Sequence, residues 1–112
     1  MTQITQTAIS RERWFSFPIE MRMGHIGSEI TRVLSSRKNN DKEKEKAAYL
    51  RAIEMLELTL ADASIGNGRK EIEILKEVLE DMQNKQPKLE IDPILLQNYF
   101  APFAFLYAIS LQ

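Results

Sequence analysis

Apolar residues recur along most of this chain at helical spacing, and the lapses in that pattern divide it into segments. Ile19, Met23, Ile26, Ile30 and Val33 follow one another at intervals of four, three, four and three, which is the seam of a packed helix. This predicts a first long helix from about Pro18 to Ser36, with Ser16 as its cap. Tyr49, Ile53, Leu56 and Leu60, widened by Leu50 and Ala52, predict a second over about Lys42 to Ala61, capped by Asp41. Ile72, Leu75, Leu79 and Met82, with Val78 beside them, predict a third from about Arg69 to Asn84. Between the second and third lies Gly66-Asn67-Gly68, a strong helix breaker.

The stretch from Pro93 to Gln112 differs from these. It has no charged residue and is apolar almost all round. Asp92 before Pro93 makes a helix start, because the carboxylate accepts from free N–H groups and Pro loses nothing at the first helical position. A helix of this kind has to be buried in a core, a partner or a membrane. Gln97, Asn98 and Pro102 within it, and the sparse basic residues upstream (Lys85 and Lys88), argue against the membrane. Core or oligomer interface is the expectation, with Tyr99, Phe100, Phe103, Phe105 and Tyr107 as candidate interface residues.

At the other end, Met1 to Ile9 is polar and reads as a loose segment without the basic start or apolar run of a signal peptide. Ser10 caps a short turn through Arg11 to Arg13. Pro18 then implies either a short extra helix or a bend before the first long one. Trp14, Phe15 and Phe17 would close one end of the core. Gly24 and Gly27 each cost the first long helix roughly 1 kcal/mol against Ala, and close approach of another element would offset this. The aromatics of the last helix are the natural candidates to lie over them. Three amphipathic helices and one apolar helix with short connections predict an all-α fold, an up-and-down four-helix bundle, as a single domain over residues 10–112.

Composition narrows the function classes. Net charge is −1 over 112 residues, so no bulk electrostatic attraction to nucleic acid or anionic membrane is expected. There is no Cys, which excludes disulfides, thiolate catalysis and Cys-ligated metals. A cytoplasmic protein without cofactor is expected.

Three constellations bear on chemistry. Arg22, His25, Glu29 and Arg32 form a polar stripe beside the seam of the first long helix. A His one turn from a carboxylate suits a general base or an anion site, while ion pairs of Glu29 with Arg32 and His25 would make the stripe a boundary of the core. Glu54 and Glu57, with Glu77, Glu80 and Asp81, place carboxylates on two helices. This resembles the paired acidic motifs of the all-α nucleotide pyrophosphohydrolases, which implies a Mg²⁺ site for a nucleoside triphosphate held by Glu54, Glu57, Glu77 and Asp81. Here Glu80 stands where that family's second motif ends in Asp, and Glu77 lies far around the helix from Leu75. Gly66 to Lys70 reads as a turn, the alternative being a phosphate cradle, and Asp62 and Arg69 are expected to pair across it.

The stretch Ser10-Arg11-Glu12-Arg13-Trp14-Phe15-Ser16-Phe17-Pro18, followed by Gly27-Ser28-Glu29-Ile30, resembles small uncharacterised microbial helical-bundle proteins. At fold level the chain is also similar to the four-helix HEPN proteins, some of which are RNases with an Arg placed five to seven residues before a His. Those positions before His25 hold Pro18, Ile19 and Glu20, and Arg22 stands three before it, so the RNase motif is missing. The leading expectation is a non-enzymatic bundle that associates with itself, as a dimer, or with a partner protein. The alternative is the Mg²⁺-dependent hydrolase.

Overall fold

The computed structural model describes residues 10–89 and 91–110, with the side chains of residues 103–110 excepted. The expectation for residues 1–9 lies outside this range. The element order is α1 (Arg11–Ser16), α2 (Ile19–Lys38), α3 (Lys42–Leu60), a 3₁₀ segment (Ala63–Gly68), α4 (Arg69–Met82) and α5 (Pro93–Ser110). The fold is all-α, with no strand among the described residues.

Local chemistry sets most of the boundaries. The Ser10 hydroxyl accepts from the Arg13 N–H at 3.1 Å and starts α1, so the short extra helix is present. Ser16 ends that helix, its hydroxyl donating to the Arg13 carbonyl, and does not cap α2. Pro18 occupies the α2 cap position without a side-chain bond, because it has none to offer. Asn40 turns the chain at φ 57°, and Asp41 caps α3 by accepting from the Lys44 N–H. Gly66 adopts φ 59° and ψ −124°, backbone that favours glycine. The Asp92 carboxylate accepts from the Ile94 N–H at 2.9 Å and opens α5.

Two arginines tie helix ends together. Arg69, at the start of α4, donates to the Leu60 carbonyl at the end of α3. Arg37, near the end of α2, donates to the Met82 carbonyl at the end of α4 and pairs with Glu45. Each cation meets the negative end of a neighbouring helix, where carbonyls lack helical partners.

Helix α2 is the centre of the packing, lying against α3 on one side and α5 on the other, while α4 packs on α3. The seam of α2 is buried at Met23, Ile26, Ile30 and Val33. That of α4 is buried at all four expected positions. The α3 stripe is rotated from expectation. Ala48, Ala52, Met55, Leu56 and Thr59 are buried, Tyr49, Ile53 and Leu60 are partly covered, and Leu50 is exposed. The reason is α1, which packs on α3. Trp14 is fully buried, and its indole N–H donates to Thr59 Oγ1 at 3.0 Å. Thr59 in turn donates to the Met55 carbonyl, so no polar atom of this contact is left unmet.

Helix α5 reaches the core through Leu96 and Phe100. A Cβ on Gly27 would stand 2.8 Å from the Phe100 Cβ and 2.9 Å from its Cγ. The expected close approach is therefore present at Gly27, where hydrogen is the only side chain that fits. Phe100 is accordingly core, which corrects its assignment to an interface.

Candidate functional site

The polar stripe of α2 resolves into two ion clusters that face different parts of the molecule. Arg22 is buried against the end of α3. Its Nη1 donates to Asp62 at 2.8 Å, and its Nε and Nη2 donate to the carbonyls of Phe17 and Phe15 at 3.0 Å each. Asp62 also accepts from the N–H and hydroxyl of Ser64. The two Ser64 bonds, with Arg22 behind them, hold the Asp62 carboxyl down at about 2. The expected Asp62–Arg69 pair is thus not formed. Arg22 arrives from forty residues earlier and takes the carboxylate, and Arg69 is used at the Leu60 carbonyl. The same geometry removes Arg69 from any phosphate cradle at the turn.

Farther along α2, the Glu29 carboxylate accepts from Arg51 Nε at 2.9 Å and lies 3.2 Å from Arg32 Nη1. The ion-pair reading of the stripe holds for Glu29 and Arg32, and Arg51 is the partner that helical spacing could not supply. His25 belongs to the aromatic end, its ring 5.7 Å from Phe17 and 6.2 Å from Trp14. A cleft of about 400 Å³ lies beside the Arg22–Asp62 pair, bounded by Ile19, Ile65, Ile72 and Tyr99. Tyr99 donates to Glu71 across it, and burial together with that carboxylate pushes the Tyr99 hydroxyl's ionisation well up.

The acidic residues of α3 and α4 do not converge. Among the described residues, no three His, Asp or Glu side chains are placed to hold a metal ion. Asp81 is occupied in holding the linker, accepting from the N–H groups of Lys88 and Leu89 at 2.9 Å each. Those two bonds lower its carboxyl below the ordinary value. Glu57 and Glu80 both lie by Lys76, and Glu77 is exposed. The Mg²⁺ set of Glu54, Glu57, Glu77 and Asp81 is therefore not assembled. The α4 carboxylates are spread over a face turned away from Ile72, Leu75 and Leu79, and one of them is bound to the linker.

Among the described residues, the most exposed large apolar side chains lie where the linker enters α5. Ile94 and Leu95 are 63% and 66% exposed, although the next residue, Leu96, is 7% exposed and Phe100 is 6%. Leu89 and Ile91 are also exposed, and they border a groove of about 910 Å³ with Leu34, Met82 and Pro93. Arg37 and Lys38 stand on its rim, and among the described residues no acidic side chain lines it. Of the candidate interface residues, Tyr99 is half-buried at the α4 side, and the side chains of Phe103, Phe105 and Tyr107 lie outside the described residues. Among the described residues no helix is long and apolar enough to cross a membrane. The exposure of Ile94 and Leu95 was not legible in the sequence, because an apolar run that reads as buried gives no hint of which side is left open.

Comparison of the chain with known protein families, with curated proteins and with solved structures gives no match.

Proposed function

We propose that this protein is a non-enzymatic helical bundle, its four long helices in up-and-down order, that works by association through the α5 entry face. The observation that carries this reading is the exposure of Ile94 and Leu95 on a helix whose opposite side is sealed onto α2. Leu89 and Ile91, a few residues earlier in the chain, are exposed as well and line the groove with Pro93, and exposed apolar surface concentrated in this way marks interaction sites. The occupant is a second copy of the chain. Residues 93–112 carry no charge, so two copies related by a two-fold axis meet without like-charge repulsion along this helix. Arg37, on the rim of the groove, is paired with Glu45 at 2.9 Å.

Size-exclusion chromatography with light scattering tests the reading. The wild type is expected to run as a dimer at micromolar concentration, and Leu95→Glu as a folded monomer. A wild type that is monomeric throughout that range overturns self-association. A Leu95→Glu variant that remains dimeric places the interface elsewhere.

A further inference from the structure

A second cavity, of about 360 Å³, opens between α2 and the first half of α3 and shares Thr31 and Ser35 with the groove. Its wall carries Arg32 from α2 and Lys44 and Arg51 from α3, together with the hydroxyl residues Thr31, Ser35 and Ser36. Among the described residues no acidic side chain lines it. In a chain whose net charge is −1, three cations around one concavity concentrate positive potential locally.

Two of these cations are organised from behind. The Glu29 side chain is 8% exposed, and it holds Arg51 by the Nε at 2.9 Å. The Nη edge of Arg51 has no protein partner among the described residues. Glu29 Oε1 attracts Arg32 at 3.2 Å but accepts no hydrogen bond among the described residues. Arg51 is thus oriented with its fork unspent, while Arg32 is drawn to the cavity and keeps freedom to turn. Orienting a guanidinium in advance lowers the entropic cost of using it on a ligand. The Lys44 ammonium also lies 3.9 Å from Asp41 Oδ2, so three cations less the carboxylates of Glu29 and Asp41 leave a local charge of about +1, which attracts the charge of about −1.5 to −2 that a phosphate monoester carries at neutral pH.

The geometry points to this cavity as a binding site for a small molecule bearing a phosphate group. Two guanidinium forks match the planar pairs of phosphate oxygens, the Lys44 ammonium supplies a point charge, and the hydroxyls donate to what remains. A single carboxylate would leave most of these donors unused. The volume is near the lower end of the roughly 300–1,000 Å³ found for small-ligand sites, so the organic part is compact. The cavity shares Thr31 and Ser35 with the groove beside the association face, while Arg32, Lys44 and Arg51 line this cavity and not the groove, so variants at these cations test it apart from association.

Titration calorimetry with glycerol phosphate and with inorganic phosphate, at ionic strength matched with chloride, reads the binding directly. Amide chemical-shift changes on the same titrations locate it. Saturable binding of the monoester is expected, with shifts centred on Ser36, Ala47 and Arg51. Arg51→Gln would leave Glu29 without its hydrogen-bonded partner and endanger the fold. The informative variant is therefore Arg32→Gln with Lys44→Gln, two exposed side chains whose loss keeps the Glu29–Arg51 pair. This double variant should melt within a few degrees of wild type and bind at least tenfold more weakly. Absence of saturable binding, unchanged affinity in the double variant, or shifts centred on Gly66 to Lys70 would each overturn the site. Binding of inorganic phosphate without the monoester overturns the small-molecule part.

Discussion

Helices α4 and α5 solve the problem of burial in opposite ways. Helix α4 has one apolar stripe, Ile72, Leu75, Leu79 and Met82, and buries all of it. Its other side is charged, and that charge is put to work: Lys76 between Glu57 and Glu80, Asp81 on the linker, Glu71 on Tyr99. Helix α5 opens with Ile94, Leu95 and Leu96 in succession, and among its described side chains it buries Leu96 and Phe100 and leaves Ile94 and Leu95 open. An amphipathic helix carries its own instruction about where water lies, so a single neighbour completes it. A uniformly apolar helix carries no such instruction. One neighbour leaves it incomplete, and the remainder is available for association.

The largest test of this contrast is within α5 itself. Phe100→Ala removes a ring seated over Gly27 and should cost about 3–5 kcal/mol in denaturant unfolding, the range for deleting a buried aromatic. Leu95→Ala, five positions earlier, should change the stability of the monomeric protein by less than about 0.5 kcal/mol, as surface substitutions do. Equal costs would mean that both sides of α5 are packed within one chain.

Gly27→Ala comes next. Alanine improves helix propensity by about 1 kcal/mol. The added methyl, however, meets the Phe100 Cβ at 2.8 Å, and overpacking of this kind costs about 1–3 kcal/mol. Because Cβ lies directly on the backbone, relief requires the two helices to move apart, and a net loss of stability is expected. A variant more stable than wild type would show that α5 does not sit this close to α2.

The smallest effect separates the two sides by pH. The α3–α4 junction is held through Asp62, whose carboxyl is lowered to about 2 from its ordinary 3.8, first by Ser64 and then by Arg22. A depressed carboxyl stabilises the fold fully above its unfolded value and loses that contribution as pH falls from about 4 through 2. The contact of Leu96 and Phe100 with α2 contains no carboxylate and contributes no such dependence. Thermal melts between pH 5 and pH 2 should therefore fall more steeply for the wild type than for Asp62→Asn, whose own stability starts lower because Arg22 has lost its counter-charge. Parallel curves would remove Asp62 as a source of the acid sensitivity.

What the sequence determined by itself is what depends on neighbours within about one helical turn. The caps at Ser10, Asp41 and Asp92 were legible because a capping side chain bonds to N–H groups two or three residues away. The α4 stripe was legible because its polar face marks the solvent side. The role of Gly27 was legible as well, because a helix tolerates the cost of glycine where something must come close. The tertiary structure alone decided the partners of the charged residues. Arg22 meets Asp62 and Glu29 meets Arg51 across intervals of 40 and 22 residues, which no helical spacing encodes. It also turned α3 so that Ala48 faces inward and Leu50 outward, while the expected Ala52 is buried, and it brought Trp14 from α1 onto Thr59. Finally, it chose which side of α5 to bury. Leu95 and Leu96 are chemically identical, and only the position of α2 makes one of them core and the other surface.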